Sequence, residues 1–334
     1  MGNVHIILFV TMKRFIFMHR FLPRQSLLLL TGSGNASTVP GLLKRILLIP
    51  LFALDLTAAH AQEEMLPTPD AKVLGMGGVA MATLPGAHAI YDNAAMALFA
   101  PQPLQISSSY YRHEKSDYYA VTGHWRFDND NMVQVGWRQY LREAGGNDMA
   151  ADAGYVRRLG RNWSVGAVGR YVHSKRPGGK ADALAADLSV AWSKSLVHLR
   201  HSPVLRAGAK ASNIGGYLKG KGPTLPMEFT AGAALDTYLS DSHEITVAAD
   251  AGYRLTPKSV RGFQGAIGAE YNLMQLVQLR AGYHFGEHSD IWPDYASVGA
   301  GVRFLHLRLD FAYLFAKKDT PLHNTYSLSF GFDF

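Results

Sequence analysis

The last eleven residues, Asn324 to Phe334, alternate with a period of two: Tyr326, Leu328, Phe330, Phe332 and Phe334 share one face, and Thr325, Ser327, Ser329, Gly331 and Asp333 share the other. Successive side chains of a strand point to opposite faces, so this segment is greasy on one side and small or polar on the other. A wall with lipid outside and a polar lumen inside demands that pattern. One such strand is weak evidence, because soluble sandwiches alternate too. Repetition along the chain is what decides.

The pattern does repeat. Leu305, Leu307, Leu309, Phe311, Tyr313 and Phe315 oppose His306, Arg308, Asp310 and Ala312, and the same split runs through Ala296–Phe304 and Ile245–Arg254. Fourteen alternating segments separated by Gly, Asn, Asp, Pro or Lys clusters start near Leu104, Tyr118, Met132, Ala151, Asn162, Asp182, Val204, Met227, Glu244, Gly262, Leu276, Tyr295, Leu305 and Thr325. Aromatic residues recur at segment ends, among them Trp125, Trp137, Trp163, Trp192, Tyr253 and Phe315. An even strand count with aromatic girdles predicts an all-β fold, a transmembrane antiparallel barrel of about 14 strands over residues 104–334. A spanning strand uses roughly 9 to 11 residues, so most loops are short. The longer candidates are Arg142–Met149, Ser174–Ala181, Gly215–Leu225 and Gly286–Asp294.

Ahead of the barrel, Leu43–Leu54 places a basic pair before a short apolar run, and Ala59-His60-Ala61 supplies a small-x-small cleavage pattern. Residues 1–61 are therefore expected to be leader and signal peptide, cleaved near Ala61, with 1–40 explained by a start site placed too early. Removing them strips six of the 33 basic residues and one of the 26 acids, leaving 27 against 25. A near-neutral mature chain gives no electrostatic reason to expect nucleic acid. The chain has no Cys, which excludes disulfides, thiolate catalysis and Cys-ligated metals.

Residues 62–103 hold no long alternating run, are rich in Ala and Gly, and include a helix-compatible stretch from His88 to Phe99. They are too short for a domain and are expected to form a hatch inside the barrel. Gly75-Met76-Gly77-Gly78-Val79-Ala80 fits a dinucleotide-binding pattern. That pattern needs a βαβ unit around it, so tight turns within the hatch are the expectation instead. Scattered His residues lack ligand spacing, and no nucleophile elbow or carboxylate pair suggests hydrolysis. No catalytic residue, cofactor or metal is expected. The inward positions carry Arg170, Arg206, Lys210, Asp250, Arg280, Arg303, Arg308 and Asp310, with Arg126, Arg138, Asp187, Glu228, Arg254, Glu270 and Asp333 beside them. Charges of both signs in a narrow lumen should pair, since an unpaired buried charge costs several kcal/mol. They form either a structural network or a polar conduit.

Two stretches carry a family resemblance. Pro67–Thr83, with Asp70, Gly75, Met76, Gly77 and Gly78, followed by Asn93-Ala94-Ala95-Met96-Ala97-Leu98-Phe99, resembles the N-terminal signature of the PorV/PorQ family. Gly208–Gly216, with Asn213 and Gly215, and then Leu225-Pro226, resembles that family's mid-barrel elements. The family often reads Trp-Asn-Pro-Ala where this chain has Tyr91-Asp92-Asn93-Ala94-Ala95. The resemblance implies the fourteen-stranded fold of the long-chain fatty-acid transporter (FadL) superfamily with an N-terminal hatch, in the outer membrane of a Gram-negative bacterium. A terminal aromatic, Phe334 here, resembles the signal that the barrel assembly machinery engages. The function it implies is that of a subunit of a type IX protein-export machine. Such a subunit would sit in outer-membrane lipid and bind another outer-membrane protein complex or a secreted protein's domain. The alternative is a FadL-like channel for small hydrophobic molecules, which needs an apolar pocket beside the hatch and a lateral opening at a strand kink or bulge.

Overall fold

The computed structural model describes residues 68–334, except 87, 114–115, 142–145, 177–178, 200, 219–224, 259–260, 288–293, 319 and 321. The expected leader, its cleavage site and the first residues of the hatch lie outside the described residues. Fourteen strands follow one another: β1 (Leu104–His113), β2 (Ser116–Arg126), β3 (Asn131–Leu141), β4 (Asn147–Arg158), β5 (Trp163–Arg176), β6 (Gly179–Ser195), β7 (Val204–Tyr217), β8 (Glu228–Ser240), β9 (His243–Arg254), β10 (Gly262–Leu273), β11 (Val277–Gly286), β12 (Tyr295–Phe304), β13 (Leu307–Ala316) and β14 (Thr325–Asp333). Each pairs antiparallel with its neighbours in sequence, and β1 closes on β14 from Gln105↔Asp333 to Arg112↔Tyr326. The protein is a closed fourteen-stranded antiparallel barrel, with every strand starting within four residues of its expected position. Closure leaves no sheet edge, which a wall in lipid requires.

The alternation sorts the side chains. Outward positions expose Ile106, Val135, Val247, Ile267, Leu279, Leu309 and Phe311, while Ser107, Gln134, Arg280, Arg308, Asp310 and Ser329 are buried inside. An apolar outer band around a polar interior inverts the order of a soluble protein. Because β1 begins and β14 ends at the same end of the barrel, that lower end carries the β2–β3, β4–β5, β6–β7, β8–β9, β10–β11 and β12–β13 turns. Trp125, Trp163, Phe304 and Phe334 ring it, and Tyr171, Tyr253, Phe263 and Phe315 ring the upper end.

One loop expectation fails. Within Ser174–Ala181, the pairs Ser174↔Ala181, Lys175↔Lys180 and Arg176↔Gly179 are ladder, so β5 and β6 reach 14 and 17 residues. The polar composition that reads as a loop serves as cross-strand pairing instead: Asp182 accepts from Tyr171 Oη and sits 2.8 Å from His173 Nδ1, and Ser174 Oγ donates to Asp148. Polar strand ends of this kind belong above the lipid, where the band of apolar residues has ended.

Inside lies the hatch, residues 68–103. A short helix, α1 (Ala71–Gly75), is capped by Asp70, whose Oδ1 accepts from Lys72 N at 2.9 Å. The expected helix from His88 to Phe99 is only a 3-10 helix over Ala94–Phe99. Asn93 sets its start, accepting from Ala95 N at 3.1 Å, and the preceding His88–Asp92 forms a turn closed by Tyr91 N donating to His88 O at 3.0 Å. Two packing clusters hold these pieces. Leu74 and Ala71 pack on Tyr295, Ala312 and Leu314, whereas Met96, Leu98 and Ala95 pack on Met132, Val156 and Val168. The hatch therefore bridges β12–β13 and β3–β5 through the lumen.

Candidate functional site

The hatch motif docks by close backbone approach. A Cβ on Gly268 or Gly282 would overlap the backbone of Met76, and one on Gly208 would overlap Met81 O. Gly75 faces Gly299 in the same manner. Gly77 has φ +75 and abuts the Tyr283 amide, so it combines a left-handed conformation with contact that no side chain permits. Gly77 N also donates to Ser297 Oγ at 2.9 Å. The Gly-x-Gly-Gly run is thus the footprint of a hatch pressed on the wall. Polar ties complete it: Asp250 Oδ2 accepts from Ala80 N (2.6 Å) and Met81 N (3.0 Å), Asn93 Nδ2 donates to Met81 O (2.8 Å), and Lys210 Nζ donates to Tyr91 O.

Most lumen charges are paired. In the lower half Arg280 bridges Glu270 Oε2 (2.5 Å) and Asp310 Oδ1 (2.7 Å), Lys72 of the hatch reaches Glu270 Oε1 (3.5 Å), and Arg308 Nε lies 3.4 Å from Asp310 Oδ2. Arg206 pairs with Asp236. Arg303 faces this cluster, and its Nε has no hydrogen-bond partner among the described residues. At mid-height Arg170 joins Asp152 Oδ1 (2.6 Å) to Asp187 Oδ2 (3.1 Å), and Lys210 Nζ is 3.5 Å from Asp187 Oδ2. Interlocked pairs of this kind offset much of the desolvation cost and brace the wall against the hatch.

Above the hatch the lumen opens into a cavity of about 270 Å3. One wall is aromatic: Tyr118 and Tyr140 meet at 6.1 Å between centroids, and the Arg138 guanidinium lies 4.4 Å over the Tyr91 ring. His284 stacks on Tyr295 at 5.1 Å along a second wall, and Asp92, Arg170, Asp187, Lys210, Asp250 and Arg254 supply the polar lining. At β6–β7 the register shifts between Ala186 and Leu188, where Asn213 takes φ +56 and donates its N–H to Asp187 Oδ1 at 2.8 Å. Above this bulge the β7–β8 ladder ends at Ser212↔Glu228, while the β6–β7 ladder runs on to Tyr217. Asn213 Nδ2 crosses that seam to donate to Pro226 O at 3.0 Å. The preceding Leu225 is buried against Ala150, Val172, Ala183 and Ala185.

The structure brings the sequence-marked residues into three places. Asp70, Gly75, Met76, Gly77, Gly78 and Asn93 shape and seat the hatch. Asn213 and Pro226 meet at the seam, and Gly215 lies beside Leu184 O on β6. Of the charges, Arg170, Lys210 and Asp250 line the cavity, whereas Arg206, Arg280, Arg303, Arg308 and Asp310 sit below it. Phe334 stacks on His306 at 5.3 Å at the lower rim. Sequence reasoning missed the cavity role of the tyrosines and of Asp92. Tyr91 and Asp92 stood out only as a departure from the family pattern.

No family model matches the chain, and no curated protein sequence matches it. Solved structures do resemble it. The monoaromatic hydrocarbon channel CymD superposes with TM-score 0.54 at 13% identity, covering 79% of this chain and 97% of that one. The Ralstonia pickettii toluene transporter TbuX gives 0.50 at 11%, covering 78% and 96%, and a Pseudomonas aeruginosa FadL homologue gives 0.51 at 13%, covering 81% and 99%. The fold is therefore that of the FadL-like barrels. The PorV/PorQ assignment finds no support in these comparisons, and the type IX export role is overturned: the similar structures include a monoaromatic hydrocarbon channel and a toluene transporter. Glycine runs and Asn-x-Gly elements record how a hatch packs in this fold, so they do not separate a carrier of proteins from a channel.

Proposed function

We propose that this protein is an uptake channel for small hydrophobic molecules in the outer membrane of a Gram-negative bacterium, exported by a signal peptide cleaved near Ala61 and assembled through its terminal strand. The short-turn lower end then faces the periplasm. One observation carries the reading: the cavity lies between the hatch, the tyrosine wall and the place where the β7–β8 ladder stops, so a molecule held there is one strand seam away from lipid. The hatch below it, seated at Gly268, Gly282 and Gly208, prevents free flow of water and ions. Passage is passive, and no residue does chemistry.

Replacing Ala150, a buried cavity-lining residue, by Trp fills the site without touching the lipid face. Cells making the wild-type protein should accumulate radiolabelled small aromatics severalfold faster than cells making Ala150→Trp at equal surface abundance. Equal rates would show that the cavity is not on the route.

A further inference from the structure

The cavity is not shaped for a plain hydrocarbon. An apolar cavity of about 150 Å3 suffices to hold benzene, so about 270 Å3 admits one substituted ring and little more. Tyr91, Tyr118, Tyr140 and Tyr295 offer ring faces and edges for such a molecule. The remaining lining is polar, and its strongest groups are committed elsewhere. Arg170 is held by Asp152 and Asp187 and Lys210 by Asp187 and Tyr91 O; Asp250 is held by two hatch amides through its Oδ2, and its Oδ1, which has no hydrogen-bond partner among the described residues, is pressed against Gly232. With cations and carboxylates alternating around the lining, nothing favours an anion.

Asp92 differs. It lines the cavity, is 5% exposed and is hydrogen-bonded to the Thr68 side chain, yet its Oδ2 has no hydrogen-bond partner among the described residues. A buried polar atom left without a partner is costly, and a ligand that supplies the partner recovers that cost. Burial, reinforced by the neighbouring Asp70 carboxylate, holds the Asp92 carboxyl well above the usual carboxylate range. That direction favours the uncharged acid, which both donates and accepts. The group that complements it is one that also donates and accepts, which is a hydroxyl and not an ammonium or a carboxylate.

We infer that the site selects one-ring aromatics bearing a hydroxyl, phenols or aryl alcohols, over the parent hydrocarbons, with the ring against Tyr91, Tyr118 and Tyr140 and the hydroxyl on Asp92. This rests on the uptake reading and narrows its substrate class. Sites built around a buried polar group reject analogues that leave it unpaired far more strongly than apolar pockets reject a missing methylene.

The test uses the purified full chain in detergent and the matched pair 4-fluorophenol and 4-fluorotoluene, which differ by hydroxyl against methyl, with binding read from fluorine resonances and Ala150→Trp as the blank for micelle partitioning. Wild type should bind the phenol at least tenfold more tightly. Asp92→Leu should level the two, and Asp92→Asn, which preserves shape, should narrow the gap if the leucine variant does not fold. Equal or tighter binding of the toluene, or a phenol preference unchanged in both variants, overturns the hydroxyl assignment and leaves the uptake reading standing. Binding of neither probe above the Ala150→Trp blank removes both.

Discussion

His88 shows how much of this protein is settled by single side chains inside the lumen. Its Nδ1 lies 2.8 Å from Thr122 Oγ1 and its Nε2 lies 2.5 Å from Ser109 Oγ; Ser109 Oγ is 2.6 Å from Ser329 Oγ, which accepts from Ala71 N at 3.0 Å. The imidazole thus ties the hatch to β1, β2 and β14. Burial, with the Arg308 and Arg138 charges adding to it, depresses its pKa to about 3. An unfolded chain takes up that proton near the ordinary value of 6.5 and the folded chain does not. Stability from this group is therefore complete above pH 6.5 and lost as pH falls from there toward 3, by about 1.4 kcal/mol per pH unit. Melting curves in detergent should drop less steeply between pH 6.5 and 4 for His88→Gln than for wild type. Parallel curves would mean that the imidazole is not held neutral.

At the scale of elements, the hatch and the bulge do the work. The hatch is a string of turns with a five-residue helix, too small to fold alone, and it takes its shape from the wall. Gly282→Val tests that dependence. The added side chain would occupy the space of the Met76–Gly77 peptide, while on the inner face of β11 it leaves the ladder and the lipid surface unchanged. The barrel should still form, and residues 68–103 should become open to protease, cut at least tenfold faster than in wild type. A hatch equally resistant in both would show that its seat lies elsewhere. At the seam, Asn213 stands at positive φ with its N–H on Asp187 and its amide on Pro226. Its position in the chain marks the Asn-x-Gly element, but what it joins could not be read there, because Asp187 and Pro226 are brought to it by strand register.

The molecule as a whole is governed by its surroundings. Val247 is 55% exposed near the middle of β9, on the lipid side. In a soluble protein Val247→Arg would be harmless at such exposure. At the midplane of a bilayer an outward Arg costs about 2 to 4 kcal/mol, so refolding into liposomes should show a loss of that order. A change within error would place β9 outside the apolar band.

The strand count, the order of the strands and the inside–outside assignment of nearly every residue were set by the sequence alone, because period-two alternation and turn chemistry are local signals that adjacent antiparallel pairing preserves. Tertiary structure decided the rest. The length of β5 and β6, the shrinking of the His88–Phe99 helix to a short 3-10 segment, the seam above Ser212 and the cavity beside Asp92 all arise where residues distant in the chain meet across the lumen. Function follows that second set, since a binding site is an enclosed space, and enclosure is a property of the closed sheet and its hatch together.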